Sequence, residues 1–174
     1  GRIYRISWKE TYKPVKVDLG KMSDDQLLKL QTSTSDWHAR TARKLIQERP
    51  VPFDAVANGV TMISQRDNKP ELTLRLMWLL HAAKALDQRQ LNLLADYEHD
   101  IVRSWAIQLA PEEAGKPKLS SETLLKLAQS DPSPTVRLAL ASALPNLDAE
   151  TAWEVGSALA MRAEDKNDRF LPKM

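Results

Sequence analysis

A leucine-rich segment followed at a fixed distance by an arginine recurs along the chain. Residues 25–30 precede Arg40 by the same spacing at which residues 122–127 precede Arg137, with an offset of 97 positions between the copies, and a third copy ends at Arg103. A recurring helix, turn and arginine-bearing helix is typical of helical repeats, in which each pair of helices buries its apolar face by stacking on its neighbours. The sequence therefore predicts an all-α fold, an α-solenoid of HEAT-like helix pairs.

Apolar periodicity and the positions of the prolines divide the chain into helices. Ser23 is predicted to cap the first helix, with Gln26 in the second position of a capping box. We expect nine helices, at about 24–32, 36–49, 53–65, 71–85, 87–95, 100–110, 121–129, 134–144 and 149–164.

The N-terminal part has a different pattern. Residues 2–8 alternate in polarity with the period of a strand, and residues 9–21, with Pro14 and Gly20, have the composition of a linker. This pattern predicts an extended segment and linker at 1–22, coming from a preceding domain, and a helical repeat domain at 23–174.

Composition excludes several classes of protein. The chain has 25 Lys and Arg against 23 Asp and Glu, a net charge of +2, and no cysteine. Mixed charges of this kind do not form the continuous basic stripe of a nucleic-acid-binding solenoid, so no nucleic acid partner is expected. No apolar run reaches the roughly 18 residues of a membrane-spanning helix, so no membrane insertion is expected.

The repeated arginines each follow an aspartate in the preceding turn. These candidate residues are Asp36 with Arg40, Asp100 with Arg103, and Asp131 with Arg137. In stacked repeats such residues form a ladder of hydrogen bonds between turns, and we predict this structural role for them. Contact with a ligand or partner is the alternative.

Tryptophans are the next candidates for function. Trp78 and Trp105 fall on the apolar stripes of their helices and are predicted to be packed side chains. Trp37, next to His38, and Trp153 in the last helix are predicted to cover the ends of the repeats or to form an interface with another domain.

No catalytic group is predicted. The three histidines have no metal-binding spacing, and the paired acids lie in loops or at helix ends, where solvated carboxylates are common. The chain also has no glycine-rich phosphate loop and no cysteine nucleophile. We therefore predict no catalytic, metal-binding or cofactor-binding residue in these 174 residues.

Several segments resemble a known family of repeat proteins. They are residues 1–6, 36–49, 76–81, 102–109 and 131–144. Together they are similar to the HEAT-repeat region of the membrane-bound dehydrogenase family of planctomycetes and related bacteria. In that family a β-propeller similar to glucose/sorbosone dehydrogenases comes first, and a c-type cytochrome domain often closes the chain.

The resemblance implies a place for this chain in a larger protein. Residues 1–6 would be the exit strand of the propeller, and residues 163–174 would stand where the family pattern enters another helix. The implied partners are the propeller and cytochrome domains of the parent chain or another protein, and the implied location is extracytoplasmic.

Two functions follow from these observations. The first is a non-catalytic HEAT-repeat scaffold or protein-interaction domain of a larger multidomain protein, either with the redox role that the resemblance implies or with no redox connection. The alternative is a nucleic-acid-binding enzyme resembling the HEAT-fold alkylpurine DNA glycosylases, which use tryptophans and an aspartate on a basic concave face. A duplex titration would separate them, because binding to DNA weakens steeply with salt.

Overall fold

The computed structural model describes residues 10, 16–49, 69–111 and 119–170, and the regular structure in these residues is helical. Short 3₁₀ turns occur at Leu19–Lys21, Leu30–Thr32, Leu144–Asn146 and Ala163–Asp165. The eight α-helices of this part are α1 Asp24–Lys29, α2 Asp36–Glu48, α3 Pro70–Ala82, α4 Gln88–Ala95, α5 Asp100–Leu109, α6 Ser121–Ser130, α7 Pro134–Ala143 and α8 Ala149–Ala160. The all-α prediction is confirmed. The predicted strand at 2–8 and the predicted helix at 53–65 lie outside the described residues.

Side-chain caps fix where the helices begin. The Ser23 hydroxyl accepts from the Gln26 amide, and the Gln26 side chain accepts from the Ser23 amide, which confirms the predicted capping box of α1. Asp87 and Gln90 form the same reciprocal pair at α4. These contacts satisfy amides that have no partner within the helix.

The end of α3 differs from the predicted boundary at 85. Lys84 has φ 55°, in the left-handed region, so the helix stops at Ala82. The Ala85 backbone amide then donates to the Leu80 carbonyl oxygen at 2.7 Å, which is the 6→1 hydrogen bond of a Schellman motif. The predicted last helix is also too long, because α8 ends at Ala160 and a 3₁₀ turn follows at Ala163–Asp165.

Helices contact both their chain neighbours and alternate helices. Sequential contacts join α1 to α2, α4 to α5, α6 to α7, and α7 to α8. A second series of contacts joins α2 to α3, α3 to α5, α5 to α7, and α6 to α8.

Helices α2 and α3 run in the same direction. Asp36 near the start of α2 contacts Arg75, and Arg43 further along α2 contacts Trp78 further along α3. Parallel orientation is what two equivalent helices of successive repeats require.

Helices α4 and α6 also run in the same direction. The Thr123 hydroxyl lies 3.3 Å from the Asn92 side-chain oxygen, and one turn later Lys126 contacts Asp96 at 3.1 Å. The two helices therefore meet side by side in matching register.

One apolar core runs through these helices, from Leu19 to Val155. Leu27, Leu91 and Leu124, on α1, α4 and α6, are among its fully buried members. The copies of the leucine motif are not equally buried, however, since Leu93 is 66% exposed. None of the helices in the described ranges has the length and apolar character needed to cross a bilayer.

Two leucines of α4 provide a matched test of this core. Leu91 is 0% exposed, so Leu91→Ala should lower the free energy of unfolding by about 2 to 5 kcal/mol, because it leaves a cavity. Leu93→Ala should change it by less than roughly 0.5 kcal/mol. Urea denaturation of both variants would measure the difference, and equal effects would contradict the packing of α4.

Candidate functional site

Arg103 joins its own turn to the next one along the chain. Its Nε donates to Asp131 Oδ2 at 2.7 Å and its Nη2 to Asp131 Oδ1 at 3.0 Å. Its Nη1 donates to the carbonyl oxygens of Tyr97 and Glu98, each at 2.8 Å. The hydrogen bond that Arg103 donates to the Asp131 carboxylate, together with the negative charge of that group, raises the pKa of Arg103 above its ordinary value, against the effect of burial.

Arg137 repeats this geometry one unit later. Its Nε and Nη2 both donate to the carboxylate of Asp165, and its Nη1 donates to the Asp131 carbonyl oxygen at 3.0 Å. Each arginine lies 28 positions before its aspartate. The hydrogen bond to Asp165 likewise raises the pKa of Arg137. We call these two bidentate contacts the arginine clamps.

The clamps join residues of successive turns. Asp131 contacts Arg103 of the preceding unit, and the aspartate partner of Arg137 is Asp165, which sequence reasoning missed. The signal for it was available, because Asp165 lies as far beyond Asp131 as Arg137 lies beyond Arg103.

Asp100 has another function in the turn. It accepts from the Ser133 hydroxyl at 2.7 Å, and this hydrogen bond is the main reason why the pKa of Asp100 lies below its ordinary value of 3.8. Asp100 therefore ties the start of α5 to the start of α7, where Ser133 also caps the helix.

The copy of the motif at Arg40 departs from the others. Arg40 is exposed, and its guanidinium makes no hydrogen bond or ion pair with the residues that the structure describes. Asp36 instead accepts from Arg75, which also donates to the carbonyl oxygens of Gln31 and Ser33. At this end of the chain, Arg75 on α3 therefore joins the turns, and its acceptors come earlier in the sequence.

A groove of about 320 Å³ lies between α2 and α3. Arg43 lies over the indole of Trp78, with 5.4 Å from its guanidinium carbon to the ring centroid. Trp78 in turn meets Trp105 edge to face at 5.1 Å. The residues that line the groove are Asp36, Ala39, Arg40, Arg43, Glu71, Leu74, Arg75 and Trp78. We call it the Arg43–Trp78 groove.

The groove brings three arginine side chains close together, and Arg43 among them is partly buried. Burial lowers the pKa of Arg43, the positive charges of Arg40 and Arg75 lower it further, and Asp36 opposes them. The Nη1 of Arg43 and the Nε1 of Trp78 are both buried without a hydrogen-bond partner. Two side chains that line one groove thus carry buried, unpartnered donors. The sequence pattern did not indicate that Arg43 and Trp78 lie together.

The predicted interface tryptophans are both on the surface. Trp37 is 57% exposed, with its ring edge to face on His38 at 5.1 Å, and Trp153 on α8 is 78% exposed. Trp78 and Trp105, predicted to be core residues, are only half-buried. Trp105 packs against the core, whereas Trp78 lines the groove.

No family model, curated protein or solved structure matches this chain. Among the residues that the structure describes, no group of three or more His, Asp or Glu side chains could hold a metal ion. The function proposed for this chain therefore depends on the geometry of the clamps, the groove and the exposed tryptophans.

The buried clamp predicts a large loss of stability on substitution. The side chains of Arg103 and Asp131 are 12% and 3% exposed, so Arg103→Met would leave a buried carboxylate without its partner. We expect the free energy of unfolding to fall by about 3 kcal/mol. Arg40→Met, at the equivalent position of an earlier copy, should change it by less than roughly 0.5 kcal/mol. Denaturant unfolding measures both changes. Similar losses for the two variants would show that the clamp contributes no more to stability than an exposed arginine does.

Asp100 predicts a specific acid dependence. Because its pKa is lower in the folded chain than in the unfolded chain, its contribution to stability is present well above pH 3.8 and is lost as the pH falls through the folded pKa. Asp100→Asn should therefore melt below the wild type at pH 6, and the difference should shrink towards pH 2. Circular dichroism melts across this range measure it, and a constant difference would contradict the assignment.

Proposed function

We propose that the helices form an α-solenoid of HEAT-like pairs. Support comes from contacts between parallel helices. Helices α2 and α3 run in the same direction, and α4 and α6 do so in matching register. Successive equivalent helices stack in this way when each repeat contacts mainly its neighbours.

The function that this arrangement supports best is a non-catalytic scaffold or protein-interaction domain of a larger multidomain protein. The observation that carries the proposal is the repeated arginine clamp, in which Arg103 and Arg137 make the same contacts one unit apart. A repeated buried tie holds successive units at a fixed angle, which suits a part that spaces or orients other domains.

Partners are proposed from the resemblance and from the exposed aromatics. The propeller and cytochrome domains of the parent chain, or another protein, would contact surfaces that include Trp37 with His38 and Trp153. Large exposed aromatics are enriched at protein interfaces and often dominate their affinity. The parent protein would be a redox enzyme outside the cytoplasm, as the family resemblance implies, and this domain would hold none of its cofactors.

The alternative function, nucleic-acid binding by a glycosylase-like fold, has one observation in its favour. The structure gathers Arg40, Arg43 and Arg75 beside Trp78, a basic and aromatic cluster that the sequence pattern did not reveal. Asp36 and Glu71 line the same groove, however, and Asp36 is paired with Arg75. Because these acids repel a phosphate backbone, protein docking is the better-supported proposal.

A domain-capture experiment tests the scaffold. Reading the gene on both sides of this segment identifies the adjoining domains, which are then purified separately and passed over the immobilised chain on a biosensor. We expect binding of at least one domain, weakened about 10-fold or more by Trp153→Ala or Trp37→Ala, as at an interface hot spot.

The matched control is Leu93→Ala, which removes another exposed apolar side chain away from these tryptophans. It should leave the affinity unchanged. If neither tryptophan variant weakened binding, the proposed interface would be wrong, and if no adjoining domain bound, the scaffold proposal would fail.

A further inference from the structure

Two side chains that line the Arg43–Trp78 groove carry donors that have no acceptor among the described residues. Arg43 Nη1 and Trp78 Nε1 are both buried, and neither has a hydrogen-bond partner. Buried donors are almost always satisfied in folded proteins, because an unmade bond costs the full desolvation of the group. The pair therefore points to an acceptor that binds in the groove.

The charge of the groove indicates what kind of acceptor this is. Arg43 is flanked by Arg40 and Arg75, and their repulsion together with burial lowers the pKa of Arg43. Asp36 opposes this repulsion only in part, because its carboxylate is paired with Arg75. An anion in the groove would relieve the repulsion and accept from both donors at once.

The surroundings of the two donors favour a carboxylate carried on an apolar segment. Leu74, Ala39 and Trp78 give the groove apolar walls. A carboxylate offers two oxygens, one for a guanidinium and one for an indole N–H. Asp36 and Glu71 at the groove disfavour a polyanion, whose further charges would meet them.

We propose that the Arg43–Trp78 groove binds an Asp or Glu side chain from an apolar segment of a partner protein, with Arg43 and the Trp78 indole N–H as the donors. This inference rests on the proposed scaffold function and gives it a recognition chemistry. Leu74 and Ala39 would contact the apolar neighbours of the bound carboxylate.

Nuclear magnetic resonance on the full chain tests the groove directly. The probe is the synthetic peptide acetyl-Ala-Leu-Glu-Leu-Ala-amide, and its twin carries glutamine in place of glutamate. The Trp78 indole N–H signal, assigned with Trp78→Phe, is followed during each titration. We expect a saturable shift with the glutamate peptide and about 10-fold or more weaker binding of the glutamine twin, as expected for the loss of a charge-assisted hydrogen bond.

Two variants and two other anions complete the experiment. Arg43→Gln should weaken binding of the glutamate peptide about 10-fold or more. Arg89→Gln, which removes an exposed arginine on α4 outside the groove, should not. Inorganic phosphate and a short DNA duplex at low salt should leave the Trp78 signal in place.

Equal binding of the two peptides, or no shift with the glutamate peptide, would overturn the proposal. Neither comparison depends on a variant, so misfolding of Arg43→Gln cannot mask the result. A Trp78 shift with the duplex that is lost at high salt would assign the groove to phosphate instead. Domain capture without a glutamate-dependent shift would overturn this inference alone and leave the scaffold proposal standing.

Discussion

The α-helices in the described residues are short, from six residues in α1 to thirteen in α2 and α3, and such helices are marginal in water by themselves. Their stability must come from burying an apolar face against a neighbour. The core that runs from Leu19 to Val155 supplies these contacts, because every described α-helix packs on at least one other helix. The turns, the clamps and the groove are all held in place by this packing.

The arginine clamps add geometric definition to the apolar packing. Hydrophobic contact is not directional, whereas a bidentate contact between a guanidinium and a carboxylate fixes both distance and orientation. Arg103 with Asp131 and Arg137 with Asp165 connect successive turns in the same way. The buried charges cost desolvation, so their main effect is to specify one arrangement of neighbouring units more than to add stability.

The first described units differ from the later ones in how their arginines are paired, and this difference bears on the function of the chain. Arg40 is not engaged in a clamp, and Arg75 reaches back to Asp36. As a result, three arginines lie beside Trp78 in the groove. In the later units the repeated arginine instead forms an arginine clamp. A departure from a repeated pattern is where a repeat protein can acquire a specific binding surface, since a feature repeated in every unit belongs to the architecture.

The sequence by itself determined where the described helices begin, because apolar periodicity, proline positions and capping residues act over a few residues. The capping box at Ser23 was predictable in this way. Only the tertiary structure decided which arginine meets which aspartate and that Arg43 lies over Trp78, with the two residues on different helices. The same holds for the half-burial of Trp78 and Trp105, since a helical stripe shows which side chains face a neighbour and cannot show how completely that neighbour covers them.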